Sequence, residues 1–206
     1  MTGSDLQVPI DAQQARVTSP WTFRERLLRL LWYWTEATLF RFSPRPFYRW
    51  RVLLLRLFGA RVAWSCRIRS SVTVEIPWNL QVGAGTIIGD EVILYCLGLV
   101  TIGARVTISQ YSHLCAGTHD FTRRDFPLLR VPIEIGDEVW IATDVFVGPG
   151  VKIGPGAVVG ARSSVFQDLP AWQICVGTPA RAIKERVIVD APALSLDLPQ
   201  EQVGAP

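Results

Sequence analysis

An aliphatic residue returns at every sixth position through most of the second half of this chain. Ile135, Ile141, Val147, Ile153, Val159 and Val165 keep that spacing without a break. Glycine directly follows Ile135, Val147, Ile153 and Val159. Small or β-branched residues stand two places ahead, at Ile133, Val139, Val145, Val151, Ala157 and Ser163. Neither a 3.6-residue helix nor a two-residue strand alternation produces this period. A hexapeptide repeat does, because three short strands close one triangular coil and coils stack about 4.8 Å apart with the aliphatic side chains inside.

The period continues upstream in rougher form. Val82, Ile88 and Leu94 keep it, and Ile102, Ile108 and Leu114 resume it after a two-residue slip, with Gly83, Gly89 and Gly103 in the expected places. An earlier register, Val62, Ile68, Val74 and Leu80, has no glycine to support it. The pattern predicts a mainly β fold, a parallel β-helix of five or six coils over 61–170. Residues 1–20 are read as a disordered segment, 21–60 as a helical hairpin, and 171–206 as a C-terminal turn, basic segment and tail.

The hairpin follows from local signals. Ser19 and Pro20 suit an N-cap and first helical position. Phe23, Leu27, Leu30, Leu31, Trp34 and Thr38 then fall near one face of a helix over Trp21–Phe42. Ser43-Pro44-Arg45-Pro46 breaks it, and a second helix over 47–58 stops at Gly59, a usual C-cap residue. The net charge is +3, yet from Arg16 to Arg69 only Glu25 and Glu36 oppose the arginines. One reading is a cap packed on the exposed end of the β-helix. A second is peripheral contact with an anionic membrane through 21–58, and the two are compatible. Nothing resembles a nucleic-acid-reading module.

The four cysteines show no metal-ligand spacing, and two histidines are too few for three-histidine zinc chemistry, so no metal is expected. The polar first twenty residues show no signal peptide, and no eighteen-residue apolar run lacks a charge. A reduced, cytoplasmic protein is the simplest expectation, with the inner face of the membrane as a peripheral site.

The repeat is interrupted between His119 and Pro132, so a loop over 119–132 is expected to protrude, and protruding insertions in solenoids commonly carry function. His119 opens that loop, where a neutral imidazole can take a proton from a hydroxyl. The competing reading is an exposed loop histidine, and Asp120 is adjacent in sequence only. His113 reads as structural. Cys115 as a nucleophile paired with His119 is a weaker alternative. Arg181 and Lys184 are candidate contacts for a phosphorylated ligand.

Three stretches carry a family resemblance: Ile135-Gly-Asp-Glu-Val-Trp140-Ile-Ala, Pro149-Gly-Val-Lys-Ile-Gly154 and Val176-Gly-Thr-Pro-Ala-Arg181. They resemble the hexapeptide-repeat O-acetyltransferases. Ile108–Asp120, Val158–Val165 and Leu53–Ala60 further resemble the colanic-acid-biosynthesis acetyltransferases, and the likeness runs from about 25 to 186. The resemblance implies a left-handed β-helix, a homotrimer with sites between adjacent chains, and acetyl-CoA as co-substrate. It implies His119 as general base, the Thr143 N–H as oxyanion donor and Trp140 beside the acetyl group. It places Thr143 and Ala161 along the donor, with Arg181 and Lys184 on its phosphates. The acceptor implied is a sugar or lipid-linked sugar hydroxyl in exopolysaccharide assembly. Tyr95-Cys-Leu-Gly-Leu-Val100 departs from the polar acceptor-binding residues of maltose and galactoside acetyltransferases. The alternatives are a catalytically silent trimeric scaffold at the membrane and an N-acyltransferase.

Overall fold

The structure is a computed structural model and describes residues 21–189. The proposed Ser19 cap, Pro20, the segment 1–20 and the end of the tail lie outside the described residues. Three parallel sheets form the faces of a prism. Face one holds Arg61–Val62, Leu80–Val82, Val100–Ile102, Ile133–Ile135 and Lys152–Ile153. Face two starts at Arg67–Ile68 and runs through Ile87–Ile88, Thr107–Ile108, Trp140–Ile141 and Val158–Val159. Face three holds Thr73–Val74, Ile93–Tyr95, His113–Cys115, Phe146–Val147 and Ser164–Val165.

The six-residue period is the inward ladder of each face. Val62, Val82, Ile102, Ile135 and Ile153 stack on face one; Ile68, Ile88, Ile108, Ile141 and Val159 on face two; Val74, Leu94, Leu114, Val147 and Val165 on face three. All are buried. The earliest register, which lacked glycine, is therefore genuine at Val62, Ile68 and Val74, but not at Leu80, which pairs with Val100 two places ahead of the ladder residue Val82. Glycine after the ladder residue answers close approach of the next coil: a Cβ on Gly83 would lie 2.6 Å from the Ala104 nitrogen, and one on Gly136 2.6 Å from the Pro155 nitrogen.

Slips in the period share one corner. Val62 faces Val82 and Val82 faces Ile102, whereas Ile135 faces Ile153, so the first two coils each carry two extra residues. They enter between faces three and one, once as the 3-10 turn Pro77–Asn79 and once at Cys96–Leu99. The long insertion after Cys115 leaves from the same corner. It folds into an antiparallel hairpin, Gly117–His119 against Leu128–Arg130, where the sequence suggested only an irregular loop. The solenoid also continues past 170, since Gln173–Gly177 adds to face two beside Val158–Val159 and pairs with Ala180–Glu185.

Helix α1 spans Phe23–Thr35 and widens into a π-helical turn at Glu36–Phe40; helix α2 spans Tyr48–Leu57. Thr22 caps α1 through a reciprocal capping box with Glu25, placing the start two residues later than the sequence suggested. The hydroxyls of Thr35 and Thr38 bond the carbonyls of Leu31 and Trp34, which competes with regular helical bonding where the helix widens. Gly59, at φ +89, ends α2 in a conformation that a side chain would disfavour.

The hairpin closes the first coil. In later coils the carbonyls of Val82, Ile88 and Leu94 accept from the coil before. Val62, Ile68 and Val74 have no coil before them. Arg56 donates to the Val62 carbonyl at 2.8 Å, Arg51 to that of Ile68 at 2.6 Å, and Trp32 Nε1 to that of Val74 at 2.5 Å. Glu36 accepts from the Val74 N–H at 2.7 Å. The side turned to the solenoid thus carries Trp32, Glu36 and Phe40, while Phe23, Leu27, Leu30, Leu31 and Trp34 face outward.

Candidate active site

His119 ends the first strand of the antiparallel hairpin and is exposed. Its Nδ1 lies 2.6 Å from the Phe126 carbonyl oxygen. A carbonyl only accepts, so a neutral ring places its proton on Nδ1 and leaves the Nε2 lone pair bare. Asp120 does not orient the ring: its Oδ1 accepts from the N–H and hydroxyl of Thr122, which hold its carboxyl below the ordinary range. Cys115 Sγ is directed to the Gly117 carbonyl at 3.3 Å, not to the imidazole.

His113, read as structural from the sequence, has a buried Nε2 with no hydrogen-bond partner among the described residues. It points outward on face three, edge-on to Tyr95 and Phe146, and burial lowers its pKa. The stretch Tyr95–Val100 also has a structural account. Cys96, Leu97 and Val100 are buried, and Leu97 packs under Gly117 at the root of the antiparallel hairpin that carries His119. Leu99, by contrast, is exposed and lines an open cleft with Thr101, Pro132 and Glu134.

Thr143 and Ala161 stack on the corner between faces two and three, because Ile141 pairs with Val159 in register. Pro149 and Pro155 hold the equivalent turn position at the other two corners of the prism, and each precedes a positive-φ glycine just as Thr143 precedes Asp144 at φ 58. A position that proline can occupy is one whose N–H the fold does not need. Among the described residues nothing accepts from the Thr143 N–H, while the Thr143 hydroxyl donates to the Gln110 carbonyl at 3.0 Å. Trp140, half exposed on face two, donates from Nε1 to Ser109 Oγ at 3.1 Å. Arg181 and Lys184 lie exposed on the final strand, opposite Val176 and Ile174.

One chain does not bring these groups together. Thr143 precedes the face-three strand Phe146–Val147, and His119 follows the neighbouring strand His113–Cys115, so they flank that face from opposite edges. The faces also differ in outward character. Face one shows only polar residues, Arg61, Gln81, Thr101, Glu134 and Lys152, whereas faces two and three mix polar with apolar residues: Arg67, Ile87, Thr107, Trp140 and Val158, and Thr73, Ile93, His113, Phe146 and Ser164. Phe126, Ser109 and Gln110 escaped the sequence reading because each acts through a backbone carbonyl or a small hydroxyl. The hexad register, which sets Thr107 beside Trp140, was the one signal for Ser109. Among the described residues no cluster of three His, Cys, Asp or Glu could hold a metal.

This repeat and corner geometry define the hexapeptide transferases. Residues 132–167 match the family described as bacterial transferase hexapeptide (six repeats). The chain is 54% identical over 157 residues to the Escherichia coli (strain K12) protein named "Putative colanic acid biosynthesis acetyltransferase WcaF", covering 76% of this chain and 86% of that one. A hexapeptide-repeat-containing acetyltransferase of Vibrio cholerae O1 biovar eltor, complexed with acetyl coenzyme A, superposes with a TM-score of 0.73 at 28% identity, covering 82% of this chain and 93% of that chain. A galactoside acetyltransferase in complex with coenzyme A superposes with a TM-score of 0.75 at 25% identity, covering 87% and 92%. The chain belongs to the hexapeptide-repeat acetyltransferases and is an acyltransferase.

Proposed function

We propose that this enzyme transfers acetyl from acetyl-CoA to a sugar hydroxyl in exopolysaccharide assembly, with His119 as general base. The observation that carries the reading is the bond between His119 Nδ1 and the Phe126 carbonyl, which turns a basic Nε2 outward. Nε2 takes the hydroxyl proton as the oxygen attacks the thioester carbon. The Thr143 N–H stabilises the oxyanion, the C–S bond breaks, and the thiolate of CoA recovers the proton from the imidazolium. Both substrates are held at once, so attack is direct. The donor lies along Ala161, beside Trp140, with its phosphates on Arg181 and Lys184.

The separation of His119 from Thr143 supports a site shared between chains. A homotrimer in which faces two and three meet neighbours, and polar face one meets water, supplies that arrangement. The likeness to a protein named for colanic acid biosynthesis supports a sugar or lipid-linked sugar acceptor.

Calorimetric titration with acetyl-CoA, with adenosine 3′,5′-bisphosphate as control, tests the donor site. Saturable binding weakened by Arg181→Ala is expected. Absence of binding at millimolar donor would replace the transferase with a trimeric scaffold, and transfer to amino sugars alone would make it an N-acyltransferase.

A further inference from the structure

After the cap is built, the outer side of the hairpin remains apolar. On α1, Phe23, Leu27, Leu30, Leu31 and Trp34 are exposed; on α2, Trp50, Leu53 and Leu57 are exposed. Trp50 Nε1 donates to the Leu39 carbonyl at 3.1 Å and joins the two stripes across the turn. Beside α2 an open cleft of about 550 Å³ lies between Phe47, Trp50, Leu53 and Trp64, with Arg49 in its wall. That cleft suits an acyl chain.

The charge around this surface has one sign. Residues 21–58 contain eight arginines and two glutamates. Arg29, Arg51 and Arg56 are bonded to the solenoid, leaving Arg24, Arg26, Arg41, Arg45 and Arg49 exposed. Both glutamates are bonded within the fold, Glu25 in the capping box and Glu36 at Val74. Two copies of such a face repel each other, whereas anionic headgroups complement it. No described helix is long and apolar enough to cross a membrane, so the fitting mode is to lie in the interface with the apolar stripe among the acyl chains.

We propose that the outer face of the N-terminal hairpin docks this enzyme onto an anionic lipid bilayer. The docking face is joined to the catalytic hairpin. The guanidinium groups of Arg29 and Arg130 lie 4.2 and 4.1 Å from the Trp21 ring, and Arg130 pairs with Glu25 at 3.9 Å. Arg130 stands opposite Gly117 on the strand pair that ends in His119. The base is thereby tied to the element that meets the membrane. This docking does not depend on the acetyl-transfer reading, and its test uses no activity.

The full-length protein is cosedimented with vesicles of phosphatidylcholine alone and of phosphatidylcholine with phosphatidylglycerol. Binding to the anionic vesicles only, weakened by salt, is expected. Arg24→Ala with Arg26→Ala, and separately Leu27→Ser with Leu31→Ser, each weaken it about tenfold or more. These side chains lie outside the core, so thermal melting of the variants checks that they fold. Lack of binding to anionic vesicles, or binding by both variants as strong as the parent's, overturns the proposal. Light scattering that shows self-association relieved by the Leu27/Leu31 variant also overturns it, by giving the face to a second copy.

Discussion

The Phe126 carbonyl oxygen sits 2.6 Å from His119 Nδ1, seven residues away across the tip of the inserted hairpin. The backbone of the insertion itself orients the imidazole, without a carboxylate. His119→Ala is expected to lower turnover by about two orders of magnitude or more, the usual contribution of a general base. Circular dichroism and molecular mass should be unchanged. Near-normal turnover in a folded variant would remove His119 from the chemistry.

Thr143 offers a test that isolates a backbone N–H. Because Pro149 and Pro155 occupy the same turn position, Thr143→Pro should fold, yet it deletes the N–H assigned to the oxyanion. A loss of about 10²–10³ in kcat is expected. Thr143→Ala, which keeps the N–H, should stay close to the parent. Equal loss in both would point to the hydroxyl and its bond to the Gln110 carbonyl.

Complementation tests whether the site is shared. His119→Ala and Thr143→Pro chains, each inactive alone, are co-expressed. If the base and the oxyanion donor come from different chains, mixed assemblies contain some intact sites and recover a measurable part of the activity. No recovery in mass-verified mixed assemblies would place both groups in one chain.

Glu36 makes stability depend on pH. Burial raises its pKa from 4.5 to about 7, against the opposing bond from the Val74 N–H. Between these values the folded protein holds a proton that the unfolded chain has released. Stability therefore falls as pH rises through that window and levels off above it, by roughly 3 kcal/mol in all. Glu36→Gln keeps an acceptor for Val74 without the charge. It should melt higher than the parent at pH 8 and show a flatter profile from pH 4.5 to 7; an unchanged profile would clear Glu36.

Arg51 is buried and donates to Ile68, Ser43, Pro44 and Arg45, pinning the hairpin turn to the first coil. Arg51→Leu leaves these acceptors without their donor and should cost about 3 kcal/mol or more in urea unfolding. Arg51→Lys should not restore it, since an ammonium lacks the planar fork.

The hexad made the solenoid legible because every sixth side chain has the same task, filling the prism. The positions around Val62 lacked glycine yet kept the ladder, since the aliphatic side chain is what a rung requires. The slips were visible, but their common corner was not, because that is a relation between coils. His119 stood out as a rare residue at a break in the repeat. Its partner did not, because a carbonyl has no signature in sequence. The hairpin helices were readable, but which side they bury was not. Trp32 and Glu36 are chosen by the unpaired Val74 backbone across the interface, not by the pattern along α1.

The bonds from Arg56, Arg51 and Trp32 to the first coil also set the size of the molecule. A stack of parallel strands has no internal reason to stop, since each coil offers the coil before it the same row of acceptors. Bare acceptors invite another chain to add its own strands, and repetition of that step grows a filament. Here one side chain answers the inward carbonyl of each face, so the register has no free template at that end. The hairpin acts as a terminator: it turns an open-ended repeat into an object of fixed length.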